Sequence, residues 1–184
     1  MPYTLRPATL EDRPALERLI ARSARALSAG DYTSQQIEAA LRGTYGVDSQ
    51  LIRDGTCFVA VTEDGGIAGC GGWSRRRTLF GGDAHGSRDA AELDPKVDAA
   101  KIRAFFIDPD HARKGIGKAI LERCEEEAMA QGFSRFELMA TLPGVRLYRA
   151  MGYVAGELVR YEMETGVVIE FVGMGKAVHA SNLE

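Results

Sequence analysis

Phe105-Phe106-Ile107-Asp108-Pro109-Asp110-His111-Ala112-Arg113-Lys114-Gly115-Ile116-Gly117-Lys118-Ala119-Ile120-Leu121 runs from an apolar strand through a proline-marked turn into an amphipathic helix. The strand reads from Ile102 to Ile107, and Asp108-Pro109-Asp110 stops it. From Gly115 to Gln131, Ile116, Ile120, Leu121, Cys124, Ala128 and Met129 share one helical face, while Lys118, Glu122, Arg123, Glu125 and Glu126 share the other; Gly132 stands where a C′ glycine belongs. The turn between strand and helix is chemically the most pointed segment of the chain. The first turn of a helix leaves amide N–H groups without internal partners, and the aligned peptide dipoles make that end partly positive. Gly115 and Gly117 let an anion approach the backbone, and Arg113, Lys114 and Lys118 add full charge. A phosphate or diphosphate is the expected guest. It is not a Walker A loop, since Ala112 replaces the first glycine and Ala119 follows Lys118; nor is it GxGxxG, since Ile120 stands at the third glycine. An ordinary basic helix start with packing glycines stays open on this segment alone.

Working outward, Tyr3-Thr4-Leu5-Arg6 reads as a first strand ended by Pro7. Thr9, Asp12 and Pro14 open a helix whose Leu16, Leu19, Ile20, Ser23, Ala24 and Leu27 recur at helical spacing up to Gly30. Thr33 with Gln36 forms a capping box for a second helix through Leu41. Cys57 to Glu63 and Ile67 to Arg76 read as a hairpin around Asp64-Gly65-Gly66. Gly81 to Ala99 is polar, glycine-rich and aperiodic, which predicts a long loop poised as a lid. Downstream come a strand from Arg135 to Met139, a short helix from Gly144 to Met151, and strands from Val154 to Met163 and Val167 to Met174, joined by Glu164-Thr165-Gly166. The pattern predicts one α/β (α+β) domain over residues 1–178, with a mixed central sheet of about six to seven strands flanked by about four helices, and a polar tail over 179–184.

Bulk properties exclude several function classes. A chain of 184 residues, 45% apolar and 27% charged, builds an ordinary soluble core. Its formal net charge of −3 speaks against nucleic acid as a partner, and the Arg75-Arg76-Arg77 run reads as solvated surface. No segment offers the roughly 18 apolar residues of a membrane span, so no membrane partner is expected and the predicted location is cytoplasmic. Cys57, Cys70 and Cys124 lack CxxC spacing, and His85, His111 and His179 are scattered; reduced thiols and no metal are expected.

The segment from Phe105 to Leu121 resembles the coenzyme A-binding motif of the GNAT N-acetyltransferase superfamily, a strand, V-x-P, then [QR]-x-x-G-x-[GA] opening a helix. Leu147-Tyr148-Arg149-Ala150-Met151-Gly152-Tyr153 resembles that family's closing segment, and the element order matches its fold over nearly the whole chain. The resemblance implies acetyl-CoA as donor. Phe105 and Ile107 would hold the pantetheine arm as a strand partner does, the amides from Arg113 through Lys114, Gly115 and Gly117 to Lys118 would cradle the pyrophosphate, and Tyr148 would be the general acid. Two departures stand out: Ala112 occupies a Gln/Arg position, and Thr141 stands where an Asn often helps hold the cofactor arm.

The implied reaction is attack of a neutral amine on the thioester, with backbone N–H groups near Ile107 stabilising the oxyanion. Asp108, Glu137 and Glu170 are base candidates by strand position only. Tyr32, between the first two helices, and Trp73, in mid-strand, are placed to wall the acceptor pocket or simply to pack. The expected acceptor is a primary amine of a small molecule, and a homodimer is compatible with the chain. A non-catalytic CoA-sensing module and a protein acetyltransferase stay open as alternatives.

Overall fold

In the computed structural model, which describes residues 2–86, 88–164 and 166–179, the strands form one seven-stranded sheet in the order β1-β2-β3-β4-β5-β7-β6. The strands are β1 Tyr3–Pro7, β2 Cys57–Thr62, β3 Ile67–Ser74, β4 Ala100–Ile107, β5 Arg135–Thr141, β6 Val154–Glu162 and β7 Val168–Ala177. All neighbours are antiparallel except β4 and β5, which are parallel. A parallel pair needs a crossover, and α4, Ile116–Ala130, supplies it.

Helices cover both faces. On one lie α1 Arg13–Leu27, α2 Ser34–Arg42 and α3 Ser49–Arg53; on the other lie α4 and α5 Val145–Ala150. Among the described residues there are thus five α-helices where about four are predicted. The unforeseen one, α3, is a five-residue turn capped by Asp48, whose carboxylate accepts from the amides of Gln50 at 3.1 Å and Leu51 at 3.3 Å. At the first helix, Thr9 and Asp12 cap a short 3₁₀ turn, Leu10–Asp12, that runs straight into α1. The Thr33–Gln36 box opens α2 as expected, with Gln36 N–H 3.1 Å from the Thr33 hydroxyl. Thr165 and residues 180–184 lie outside the described residues, so the last turn and most of the polar tail are not described.

Apolar faces explain the layering. Ile116, Ile120, Leu121, Cys124 and Ala128 of α4 are buried beside Phe58, Trp73, Ile102 and Phe136 of the sheet. Leu16, Leu19, Ile20 and Ala24 of α1 close the opposite face with Val59 and Cys70. Burying side chains of this size contributes about 1.5–3 kcal/mol each.

One irregularity positions the site. β4 and β5 pair only at Ala100–Phe136 and Lys101–Glu137, and beyond Lys101 they part. On its other side β4 carries a bulge: Cys70 faces Phe106 but Gly72 faces Arg103, and Ala104 takes φ +60°. Opposite the bulge, a Cβ on Gly71 would stand 2.7–2.8 Å from the Phe105 ring, so only glycine leaves room for that ring.

Candidate active site

The parted strands open a cavity of about 950 Å³ that runs between α1, α4, α5 and the segment 79–82. At one end stands the turn before α4. Arg113 and Gly115 both take positive φ, +60° and +83°, on either side of Lys114. Alternating backbone handedness turns successive amides toward one concavity, an anion nest. Among the described residues, no amide from Arg113 to Lys118 donates a hydrogen bond. A Cβ placed on Gly115 would meet nothing within 4 Å, so the cradle is open. Arg113, Gly115, Gly117 and Lys118 line the cavity, and Arg146 of α5 lines it as well. Lys114 does not: its ammonium donates to the Asp110 carbonyl at 3.0 Å, on the outside of the turn. These features fit a diphosphate. The expected shortfall of charge at Ala112 is met by neighbours, among them Arg146, which nothing in the local pattern singles out.

Midway along the cavity sit Phe105, Ile107, Thr141 and Tyr148. The Thr141 hydroxyl makes no capping bond to the 3₁₀ turn that follows it, Leu142–Gly144. Tyr148 is held edge-to-face by Phe105, with ring centroids 6.1 Å apart, and by Tyr153 at 5.8 Å. Behind it, Tyr153 donates to Glu125 at 2.8 Å, and Lys176 donates to the other oxygen of that carboxylate at 2.8 Å. The Tyr148 hydroxyl has no partner among the described residues. Burial pushes its pKa well above the ordinary tyrosine value, so at neutral pH it is a proton donor and not an acceptor of charge. The Ile107 amide is not free for an oxyanion, because it donates to the Ser23 hydroxyl at 3.2 Å.

The other end of the cavity is walled by Tyr45, Phe80, Phe106, Met139 and Phe171, with Thr44, Gly46, Gly81 and Gly82. Neither predicted wall residue is there. Trp73 is fully buried and packs edge-to-face on Phe133 at 6.0 Å on the α4 side of the sheet. Tyr32 is a brace: its hydroxyl donates to the Glu170 carbonyl at 2.6 Å and accepts from the Leu142 amide at 2.9 Å. Burial pushes its pKa up to about 12, and it ties the α1–α2 turn to β7 and to the end of β5. Asp108, Glu137 and Glu170 lie outside the cavity as well; Asp108 pairs with Arg22 at 3.5 Å, and Glu137 pairs with Lys101.

The 81–99 segment is anchored, which corrects the lid expectation. Gly82 and Asp83 donate their amides to the carbonyls of Thr44 at 3.1 Å and Val47 at 2.9 Å. Arg88 donates to the Gly81 and Gly82 carbonyls, and Arg103 to Gly81. His85 packs beside Phe80 at 4.8 Å. The start of the loop is therefore a fixed wall. Within the Arg75-Arg76-Arg77 run, Arg76 holds Asp54 through two bonds of 2.7 and 3.0 Å.

No curated protein matches the chain. Solved structures do, at identities that speak for the fold alone. A GCN5-related N-acetyltransferase from Rhodopseudomonas palustris superposes with a TM-score of 0.71 at 20% identity, covering 97% of each chain. A phosphinothricin acetyltransferase from Sinorhizobium meliloti in complex with AcCoA gives 0.60 at 20% identity, over 97% of this chain and 89% of that one. A ribosomal-protein-alanine N-acetyltransferase from Brucella melitensis gives 0.62 at 16%, over 95% and 99%. The family model for the acetyltransferase (GNAT) family matches residues 21–153, from α1 to the closing Tyr153. The chain belongs to the acetyltransferase (GNAT) family of acetyl-CoA-dependent N-acetyltransferases.

Proposed function

We propose that the protein transfers an acetyl group from acetyl-CoA to a primary amine of a small molecule by direct attack. The observation that carries this reading is the alignment, in one cavity, of an open amide nest at Arg113–Lys118, the unpartnered Tyr148 hydroxyl and an end walled by aromatic side chains. Gly115, Gly117 and the intervening amides would bind the diphosphate, with Arg113, Lys118 and Arg146 balancing its charge. Phe105, Ile107 and Thr141 would guide the arm along the unpaired edge of β4. The acceptor nitrogen attacks the thioester carbonyl and the C–S bond breaks as Tyr148 gives its proton to the departing sulfur; the proton shed by the acylated nitrogen then returns the Tyr148 phenolate to its neutral form through solvent. A thiol pKa near 8.5 makes that sulfur a tolerable leaving group, so the proton helps without being indispensable. The side chains that wall the aromatic end, among them Tyr45, Phe80, Phe106 and Phe171, suit a small apolar acceptor.

Melting with acetyl-CoA tests the donor. At 100 times Kd a ligand adds about 2.7 kcal/mol, which for a chain of this length raises Tm by about 5–11 °C. Amine-dependent release of CoA thiol then tests turnover. A shift without any release across a broad amine panel would leave the CoA-sensing and protein-acetyltransferase alternatives.

A further inference from the structure

At the aromatic end of the cavity, Tyr45 and Phe171 are buried, while Phe80 and Phe106 are only half-buried, so these two present the ring surface that a guest would meet. Phe106 belongs to β4, and the sheet sets its place. Phe80 lies between β3 and β4, outside the named strands and helices. Its ring packs against His85, Tyr161 and Phe171, with centroids 4.8, 5.3 and 5.7 Å away. The backbone that carries it needs an anchor of its own.

Two arginines supply it. Arg103 donates to the Thr78 carbonyl at 3.2 Å and to the Gly81 carbonyl at 2.7 Å, so it brackets the pair Leu79–Phe80. Arg88 reaches back and donates from one nitrogen to the carbonyls of Gly81 at 2.9 Å and Gly82 at 3.0 Å. Both guanidiniums also bond Asp48, one at each carboxylate oxygen, Arg88 at 3.0 Å. Asp48 is buried and is itself fixed as the cap of α3. Charge-assisted bonds of this kind are strong where water is scarce. The two arginines differ in depth: the Arg103 side chain is 3% exposed and the Arg88 side chain 25%, so Arg88 can be changed without opening the core. Without Arg88, Arg103 still holds the Gly81 carbonyl and the His85 amide still donates to that of Gly82 at 3.0 Å. The segment would stay folded, but two successive glycines, one at φ +98°, would lose the anchor they share.

We propose that Arg88 is a positioning residue for acceptor specificity: through the Gly81 and Gly82 carbonyls it sets where the Phe80 ring stands, and Phe80 limits the length of the acceptor. The proposal rests on the acetyl-transfer reading and deepens it, since the acceptor class becomes a primary amine whose apolar group has a preferred length. The role suits arginine and not lysine. Only a planar fork reaches two carbonyls and a carboxylate at once, whereas an ammonium is a point charge.

The test uses the whole protein at saturating acetyl-CoA, with CoA thiol release as readout. The acceptors are benzylamine, phenethylamine, phenylpropylamine and phenylbutylamine, which lengthen by one methylene at a time. One methylene in an apolar pocket is worth about 10–200-fold, so the wild type should prefer one length over its neighbours by at least about 10-fold in kcat/KM. Arg88→Met keeps the stem and drops the fork; it should shrink that preference to about 3-fold or less, with acetyl-CoA Kd unchanged. Arg88→Lys should lose it as well. Phe80→Ala should erase the preference alone, and adding Arg88→Met to it should alter the preference no further. That non-additivity is the mark of a role exercised through Phe80, which general loosening would not produce. A wild type without a length preference overturns the proposal. So does a preference that either Arg88 variant retains, an additive effect in the double variant, or a loss of acetyl-CoA affinity in Arg88→Met. Silence of the whole series, with acetyl-CoA still raising Tm, overturns it too and leaves the donor reading standing. Absence of that Tm shift overturns the acetyl-transfer reading itself, and the proposal with it.

Discussion

Replacing Tyr148 by Phe isolates one proton. The ring stays wedged between Phe105 and Tyr153, since both contacts are edge-to-face and need no hydroxyl. The deleted oxygen bonds no described residue, so no protein group is orphaned, and Tm should move by less than about 1 °C, as for a substitution away from any paired group. The catalytic loss is a different matter. A positioned general acid contributes about 10²–10⁴-fold. Because thiolate is already a fair leaving group, the lower part of that range applies, about 10²–10³-fold in kcat, or about 2.7–4 kcal/mol in the barrier. Burial holds the Tyr148 pKa above its ordinary value, so the wild-type rate should show no alkaline fall from this residue below about pH 10. The assay is stopped-flow or steady-state CoA thiol release at saturating acetyl-CoA, paired with calorimetry for the donor Kd. An unchanged kcat, or an equal loss in acetyl-CoA affinity with no loss in kcat, would refute the assignment and make Tyr148 a packing residue.

Three further outcomes follow from the geometry. Gly115→Ala puts a side chain at φ +83°, which costs about 1–2 kcal/mol of stability, and its methyl enters the open nest, so acetyl-CoA Kd should rise at least about 10-fold; an unaltered Kd would move the diphosphate elsewhere. Trp73→Ala should cost about 3–5 kcal/mol by chemical denaturation, because the ring is fully buried, while the donor Kd of the folded fraction stays put; a selective change in acceptor KM would return Trp73 to the pocket. His85 has its pKa lowered, chiefly by burial and then by Arg88 and Arg103. Its unfolded-state pKa is therefore the higher one, protonation favours the unfolded chain, and stability is lost as pH falls below about 6.5. His85→Phe should lose less Tm between pH 7 and 5 than the wild type does.

What could be read from the chain, and what could not, divides by range. The β4–α4 junction was legible because everything it needs is contiguous: an apolar strand, a proline stop, two glycines and a helix with clear periodicity. Its amides stay open in the fold for the same local reason. The aromatic end of the cavity draws Tyr45, Phe80, Phe106 and Phe171 from separated segments, and no spacing links them. The choice between wall and packing at Tyr32 is not legible in sequence because its two bonding partners, Glu170 and Leu142, are more than a hundred positions away. Of the two readings open for Trp73 the structure shows packing, because β3 is covered on both faces and mid-strand means core. The 81–99 stretch has the composition of a loose loop, yet arginine side chains fasten its carbonyls. Only the tertiary partners reveal that. α3 was missed because five residues are too few to show a period.

The shortness of the β4–β5 ladder has a thermodynamic corollary. With two residue pairs as the whole seam, the β1–β4 and β5–β7 portions are joined there by very little backbone bonding, and the missing rungs are left to whatever lies in the gap. A donor arm laid along β4 would therefore act as an eighth, removable strand. Occupancy should slow amide hydrogen exchange on both flanking strands well beyond the atoms it touches, and within β4 the free protein should exchange fastest at amides between Ile102 and Ile107 that are not bonded to β3 or Ser23.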